Sequence, residues 1–189
     1  VLEQINRTGV EVAIVPEEHS VLGVKAKVKC IAEIVNKKIE AERLFEEKLD
    51  PAINKLEIAS QKVLEKNTKA IFILGLQSGS PLIGGMDTSA NGLIEMIGAK
   101  NVLSSFEGWK PVSTESILMA EPDVILISNR GLSAFGDVES LRQHPALALT
   151  PAAKNNNIIA MDGMAMLGFG PRTIFSALNI ANDILDIND

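Results

Sequence analysis

The stretch Ile71–Asn101, IFILGLQSGSPLIGGMDTSANGLIEMIGAKN, decides the fold of this chain. It runs from an apolar strand through a glycine-rich loop into a helix. Phe72, Ile73 and Leu74 are too continuously apolar for a strand with one wet face, so they read as a strand buried on both sides of a mostly parallel sheet. The loop that follows, Gly75 to Gly85, then lies at the carboxyl end of that sheet, where open α/β sheets hold their ligands.

Downstream, strands and helices alternate. A helix from Thr88 to Ile97 leads to a short strand near Val102, and a helix capped by Ser113 runs to Ala120 before a strand at Asp123 to Ile127. A loop, Ser128 to Gly136, precedes a helix at Asp137 to Gln143. Ile158 to Met161 is another buried strand, Asp162 to Pro171 a third loop, and Pro171 opens a last helix to about Leu185. This alternation predicts an α/β fold, a three-layer Rossmann-like lobe with a mostly parallel sheet.

Upstream, Ala41, Leu44, Phe45, Leu49, Ala52, Ile53, Leu56, Ala59 and Val63 recur at helical spacing. They predict one amphipathic helix from Lys37 to Lys66, ~45 Å long at 1.5 Å per residue. Pro51 lies inside it and removes a ladder hydrogen bond, so a kink near Lys48 or two abutting helices are expected. A helix of that length suggests a strut between two lobes. Before it, Val1 to Arg7 reads as the end of a helix capped by Gly9, Val10 to Val15 as a strand, and Ser20 as the cap of a helix to about Val35. The expected organisation is a remnant of a first α/β lobe in residues 1–36, the spanning helix in 37–66 and a second α/β lobe in 67–189. The opening Val1-Leu2-Glu3-Gln4-Ile5 reads as mid-helix, hence as a fragment lacking most of the first lobe.

Composition narrows the functional classes. The 189 residues are 46% hydrophobic and 22% charged, as in ordinary globular proteins. A net charge of -6 argues against nucleic acid, which needs a concentrated Lys/Arg surface. Lys25, Lys27, Lys29, Lys37 and Lys38 are interleaved with Glu33, Glu40 and Glu42 and read as a solvated helix face. No apolar run approaches the ~20 residues of a membrane span. Cys30, the one cysteine, reads as a buried thiol, and His19 and His144 as exposed or capping residues. Zinc or Cys/His nucleophile chemistry has little material here, so neither a catalytic residue nor a metal site is assigned.

The glycine-rich loop is not a phosphate cradle of the P-loop kind, because Gly84-Gly85 is followed by Met86-Asp87 instead of a lysine and a hydroxyl residue. Gly168-Phe169-Gly170-Pro171-Arg172-Thr173 is a poor dinucleotide fingerprint, with a proline inside and Thr173 in the final small position. A nucleotide-dependent α/β enzyme, the alternative from another class, would need a phosphate loop and a titratable pair, and neither is visible.

The three loops at the carboxyl ends of the strands converge on one rim if the sheet is parallel. The first offers Gln77, Ser78 and Ser80, the second Asn129 and Arg130, the third Met164, Met166 and Phe169 before Arg172. Together they describe an apolar shelf with hydrogen-bonding groups and two cations, suited to a flat apolar ligand bearing carboxylates. The competing reading has Met164, Met166 and Phe169 filling core beneath the last helix. Arg172 sits in the first turn of a helix, where the macrodipole disfavours a cation. It serves either an anion or a pairing with Asp162 or Asp183. Trp109, the single tryptophan, reads equally as a lid, a ligand contact or a packing plug.

The order GLQSGSPLIGGMDTSANGLIEMIGAKNV, FEGWKPVSTESILMAEPDVILIS and HPALALTPAAKNNNIIAMDGMAMLGFGPRT resembles the C-terminal lobe of periplasmic hemin-binding proteins of ABC transporters. Their wider group includes cobalamin- and siderophore-binding proteins, with two α/β lobes joined by one long helix. The resemblance covers the whole chain, and LTPA with GFGPR favours the hemin branch. It implies a non-catalytic, periplasmic protein that takes heme as a transported ligand into the cleft between its lobes and delivers it to a membrane permease, with a cobalamin or ferric-siderophore binder of the same group as the alternative. Glu115, in Val112-Ser113-Thr114-Glu115, resembles the glutamate by which this lobe docks on permease arginines, a role that suits a carboxylate early in a short exposed helix. Two departures stand out: relatives usually supply an axial tyrosine from the first lobe, and some place a histidine where Gln77 to Ser80 stand, whereas this chain has no tyrosine at all. A neutral Ser/Gln loop does not ligate iron strongly, so no metal ligand is assigned and this half alone should hold hemin weakly. A homodimer through the face a missing lobe would cover is a further expectation.

Overall fold

The computed structural model describes Ile5, Gly9 and residues 12–187. The helix expected over Val1 to Arg7 lies, Ile5 apart, outside the described residues. Gly9 has the positive φ of a cap, +79°. Residues 12–15 form no strand, contrary to expectation. A strand needs a neighbour to complete its ladder, and none of the described strands pairs with them.

Ser20 caps α1 (Val21–Ile34) by accepting from the Gly23 N–H at 3.0 Å. Then α2 (Lys38–Leu44), a π-helical turn (Phe45–Leu49) and α3 (Asp50–Glu65) run without a break. The turn has the cause expected for the kink. Pro51 donates no hydrogen bond and its ring crowds the carbonyl four residues earlier, so the helix widens just ahead of it and the Asp50 N–H reaches the Phe45 carbonyl.

Next come β1 (Lys69–Gln77), β2 (Ser80–Gly84), α4 (Ser89–Met96), β3 (Lys100–Asn101), β4 (Trp109–Pro111), α5 (Thr114–Ala120) and β5 (Val124–Ser128). They are followed by α6 (Asn129–Leu132), α7 (Val138–Arg142), α8 (Pro151–Lys154), β6 (Ile158–Met161), α9 (Gly163–Leu167) and α10 (Pro171–Ile187). Among the described residues the sheet has six strands, in the order β4-β2-β1-β5-β6 with β3 pairing β1. Strands β3, β1, β5 and β6 pair in parallel, while β2 pairs antiparallel with both β1 and β4 at one edge.

The apolar run is buried on both faces as expected from Ala70 to Ile73, whereas Leu74, expected to be buried with them, is 37% exposed. Ala70 and Phe72 of β1 and Val124 and Leu126 of β5 point into one core, with α1, α3, α4 and α10. Their neighbours Ile71, Ile73, Ile125 and Ile127 point into a second core, beneath α5, α7 and α8. This period-two division of a continuous apolar run makes the three layers.

The glycine-rich segment corrects the sequence reading. Gly75 to Gly85 is not a loop: β1 continues to Gln77 and returns as β2. The two residues between, Ser78 (φ +50°) and Gly79 (φ +81°), have the positive φ of a type I′ hairpin turn. The register steps from Ile73↔Ile83 to Gly75↔Leu82, so Leu74 is the extra residue of a bulge. The loops expected at Ser128 to Gly136 and Asp162 to Pro171 open with the short helices α6 and α9. Cys30 is a half-buried free thiol rather than a buried one.

Along α10, Asp183 has its carboxyl pushed above the usual aspartate range, first by partial burial and second by the charge of Asp186. An acid with a raised folded-state pKa supports folding while protonated and costs stability once pH rises through that pKa. Asp183→Asn should therefore raise the melting temperature at pH 7 by about 1–2 °C, a figure kept small because the group is largely exposed. The gain should vanish below the usual aspartate range, as thermal scans at the two pH values would read.

Candidate functional site

Register places the three expected segments side by side. Ile73 is level with Ile127, and Ser128 with Met161, so β5 and β6 end at Ser128 and Met161 along a rim beside Leu74, above which β1 continues into its hairpin. Adjacent strands lie ~4.8 Å apart, which keeps these ends within one small ligand's reach.

β5 and β6 each turn at once into a helix. The Ser128 hydroxyl caps α6, accepting from the Gly131 N–H at 2.9 Å, and the Asp162 carboxylate caps α9, accepting from the Ala165 N–H at 2.7 Å. Two glycines allow the close fit. A Cβ on Gly131 would come within 2.5 Å of the Leu74 carbonyl oxygen, and one on Gly163 within 3.0 Å of the Ser128 Cβ. The starts of α6 and α9 are thus pressed against the ends of β1 and β5.

Seven of the expected residues gather on or above this rim. Asn129 and Arg130 stand exposed in the first turn of α6, and Arg130 has no ion-pair partner among the described residues. Met164, in the first turn of α9, is 70% exposed. Gln77, Ser78 and Ser80 form the tip of the β1–β2 hairpin, raised above the rim by the strand extension. Arg172 opens α10 with its side chain 71% exposed and a 3.8 Å approach to Asp162. That pair is long and exposed, so it is worth at most about 1 kcal/mol. Asp162 already spends the same oxygen, Oδ1, on the α9 cap, which leaves the guanidinium loosely held and open to another carboxylate.

Three expected residues lie elsewhere. Met166 (0% exposed) and Phe169 (1%) are in the first core, the outcome in which they fill space beneath α10. Phe169 adopts φ +43° and lays its ring against His19, centroids 4.9 Å apart. Trp109 sits on β4 opposite Gly84, edge-on to Phe72 at 6.0 Å, and works as a packing plug midway along the sheet. His144 proves a capping residue, with its Nδ1 accepting from the Ala146 N–H at 3.3 Å.

Leu74 was missed. The bulge leaves it 37% exposed at the rim, among the polar groups of α6, and the glycine after the apolar run was the available signal. A concavity of about 340 Å³ opens away from the rim, at the amino ends of β1 and β3, beside Asn91, Glu95 and Asn101. Its amides are spent on the fold, with Asn101 Nδ2 donating to the Gly84 carbonyl and to Asn91 Oδ1. Among the described residues no group of three or more His, Cys, Asp or Glu could hold a metal ion, and no helix is long and apolar enough to cross a membrane.

A rim of cations, amides and an exposed thioether is equipped to hold a ligand. The chain belongs to the periplasmic binding protein family, whose profile matches residues 2–165. Among solved structures it is similar over its full length to the periplasmic heme-binding protein RhuT from Roseiflexus sp. RS-1, at TM-score 0.88 and 27% identity, covering 72% of that chain. It is also similar to the periplasmic heme-binding protein BhuT in complex with two hemes, at TM-score 0.85 and 27% identity over 71% of that chain. With the periplasmic heme-binding protein HutB of Vibrio cholerae it shares 32% identity at TM-score 0.82, over 97% of this chain and 71% of that one. A curated relative, the uncharacterized ABC transporter substrate-binding lipoprotein YvrC of Bacillus subtilis (strain 168), is 21% identical over 183 residues, 97% of this chain. The chain spans 56% of that relative's length.

The division between core and rim predicts opposite responses. Phe169→Ala should cost about 3–5 kcal/mol in denaturant unfolding. Met164→Ala should stay within about 0.5 kcal/mol of the parent. Equal losses would place Met164 in the core.

Proposed function

We propose that this chain is part of the substrate-binding component of a hemin ABC importer, with its rim as one wall of a cleft between two lobes. The observation that carries the reading is the end-to-end similarity to three heme-binding proteins at TM-scores of 0.82 to 0.88. The rim's chemistry is compatible with it. Leu74 and Met164 offer apolar surface to a flat macrocycle, and Arg130 and Arg172 offer guanidinium groups to its carboxylates, the pairing with the strongest geometric match.

In this reading residues 67–189 are one lobe, 37–66 the helix spanning the two, and 1–36 belong to the other lobe. Hemin is cargo and not a catalytic cofactor, so the chain performs no reaction on it. The protein works outside the cytoplasmic membrane, in keeping with its family and its lipoprotein relative. Its second partner is the importer's permease, met through Glu115, which is exposed in the first turn of α5.

Arg172 gives the sharpest test of the carboxylate contact. In the full-length protein, Arg172→Ala should weaken hemin about tenfold, the loss of a charge-assisted pair. Binding of hemin dimethyl ester, which lacks free carboxylates, should change little. Equal weakening of both in absorbance titrations would make Arg172 structural.

A further inference from the structure

The helix that carries Glu115 has a second exposed feature that the docking reading leaves unused. Ser113 caps α5 by accepting from the Ser116 N–H at 3.2 Å, and Ile117 anchors the helix with a fully buried side chain in the second core. Residues two before and two after Ile117 lie ~160° round the helix from it, at about 100° per residue. Those residues are Glu115 and Met119. Being four apart, they are surface neighbours, with Cβ atoms ~6 Å apart.

Met119 is 78% exposed. Its neighbours Leu118 and Ala120 are half-buried, so α5 turns its one large unburied apolar side chain to the same side as its carboxylate. Glu115 has no ion-pair partner among the described residues, whereas Glu121, just beyond the helix, is paired with Lys69 at 3.4 Å. An unpaired carboxylate next to a flexible thioether is the composition of a small contact patch. The charge gives direction and register, and the apolar group gives area that is dehydrated on contact.

We propose that Met119 is the apolar anchor of the surface on which Glu115 docks, and that its occupant is a permease face carrying a guanidinium beside an apolar recess. The inference rests on the importer reading and adds the chemistry of the partner's side. Carboxylate meets guanidinium in a bidentate pair, while Met119 fills the recess and keeps water from that pair. Methionine suits the task because its unbranched side chain adapts to an irregular pocket and is released again without a large cost.

The test uses the full-length, hemin-loaded protein and the permease–ATPase complex in lipid nanodiscs. The readouts are the binding-protein concentration that half-saturates ATPase stimulation and, separately, hemin affinity. Met119→Ser should raise the half-saturating concentration about tenfold, as loss of an interface anchor does. Met119→Leu, which keeps the apolar volume, should stay within about twofold. Glu115→Ala should also raise the half-saturating concentration, and all three should bind hemin as the parent does. If Glu115→Ala impairs stimulation and Met119→Ser does not, the Met119 proposal falls and the docking reading stands. If neither impairs it, or the unaltered protein gives no stimulation, both fall. A parallel loss of hemin affinity in Met119→Ser would make the residue structural and overturn the proposal.

Discussion

Everything in this structure depends on burying β1 and β5 from both sides. Ala70 to Ile73 pair in parallel with Val124 to Ile127, and alternate residues of each run supply two separate cores. Over these residues neither strand has a wet face, so helices must cover both sides, and the parallel direction obliges the chain to cross over between strands. The layered arrangement follows from that one constraint, and so does the gathering of the strand ends at a single rim. The long helix α3 belongs to the same economy, since it packs along α10 and closes the first core.

The rim inherits its shape from the need to satisfy backbone groups where the strands stop. Ser128 ends β5 and Asp162 directly follows β6, and the two cap α6 and α9, so no slack chain separates strand from helix. Gly131 and Gly163 let the two helices approach closely. The consequence is a shelf whose backbone is fixed and whose exposed side chains, Asn129, Arg130, Met164 and Arg172, are free to be chosen for a ligand. The Asp162 carboxylate links the cap to the cation: engaged by α9, it holds Arg172 only weakly.

Much of this was legible in the residues. The double-sided strand, the helix from Ser20, the interruption ahead of Pro51 and the capped helices α4 and α5 all follow from apolar spacing and cap chemistry, which act locally. What was hidden depends on partners distant in sequence. The β1–β2 hairpin looked like a loop because Gly75 and Gly79 break the apolar pattern, yet the first follows a bulge and the second completes a tight turn. Helices α6 and α9 are too short for any periodicity to show. Met166, Phe169 and Trp109 carry the residue types of a ligand shelf, and only packing against α10, His19 and Phe72 assigns them to structure. Polar and charged rim residues read better than apolar ones, because an apolar side chain has two places to go.

The central claim is that the rim is one wall of a hemin cleft. Absorbance titration of the full-length protein with hemin, with cobalamin and with a ferric siderophore, in parallel, tests it most directly. The account predicts a saturable shift of the Soret band with hemin and no saturable binding of the other two. Tight binding of cobalamin or the siderophore with no response to hemin would contradict it.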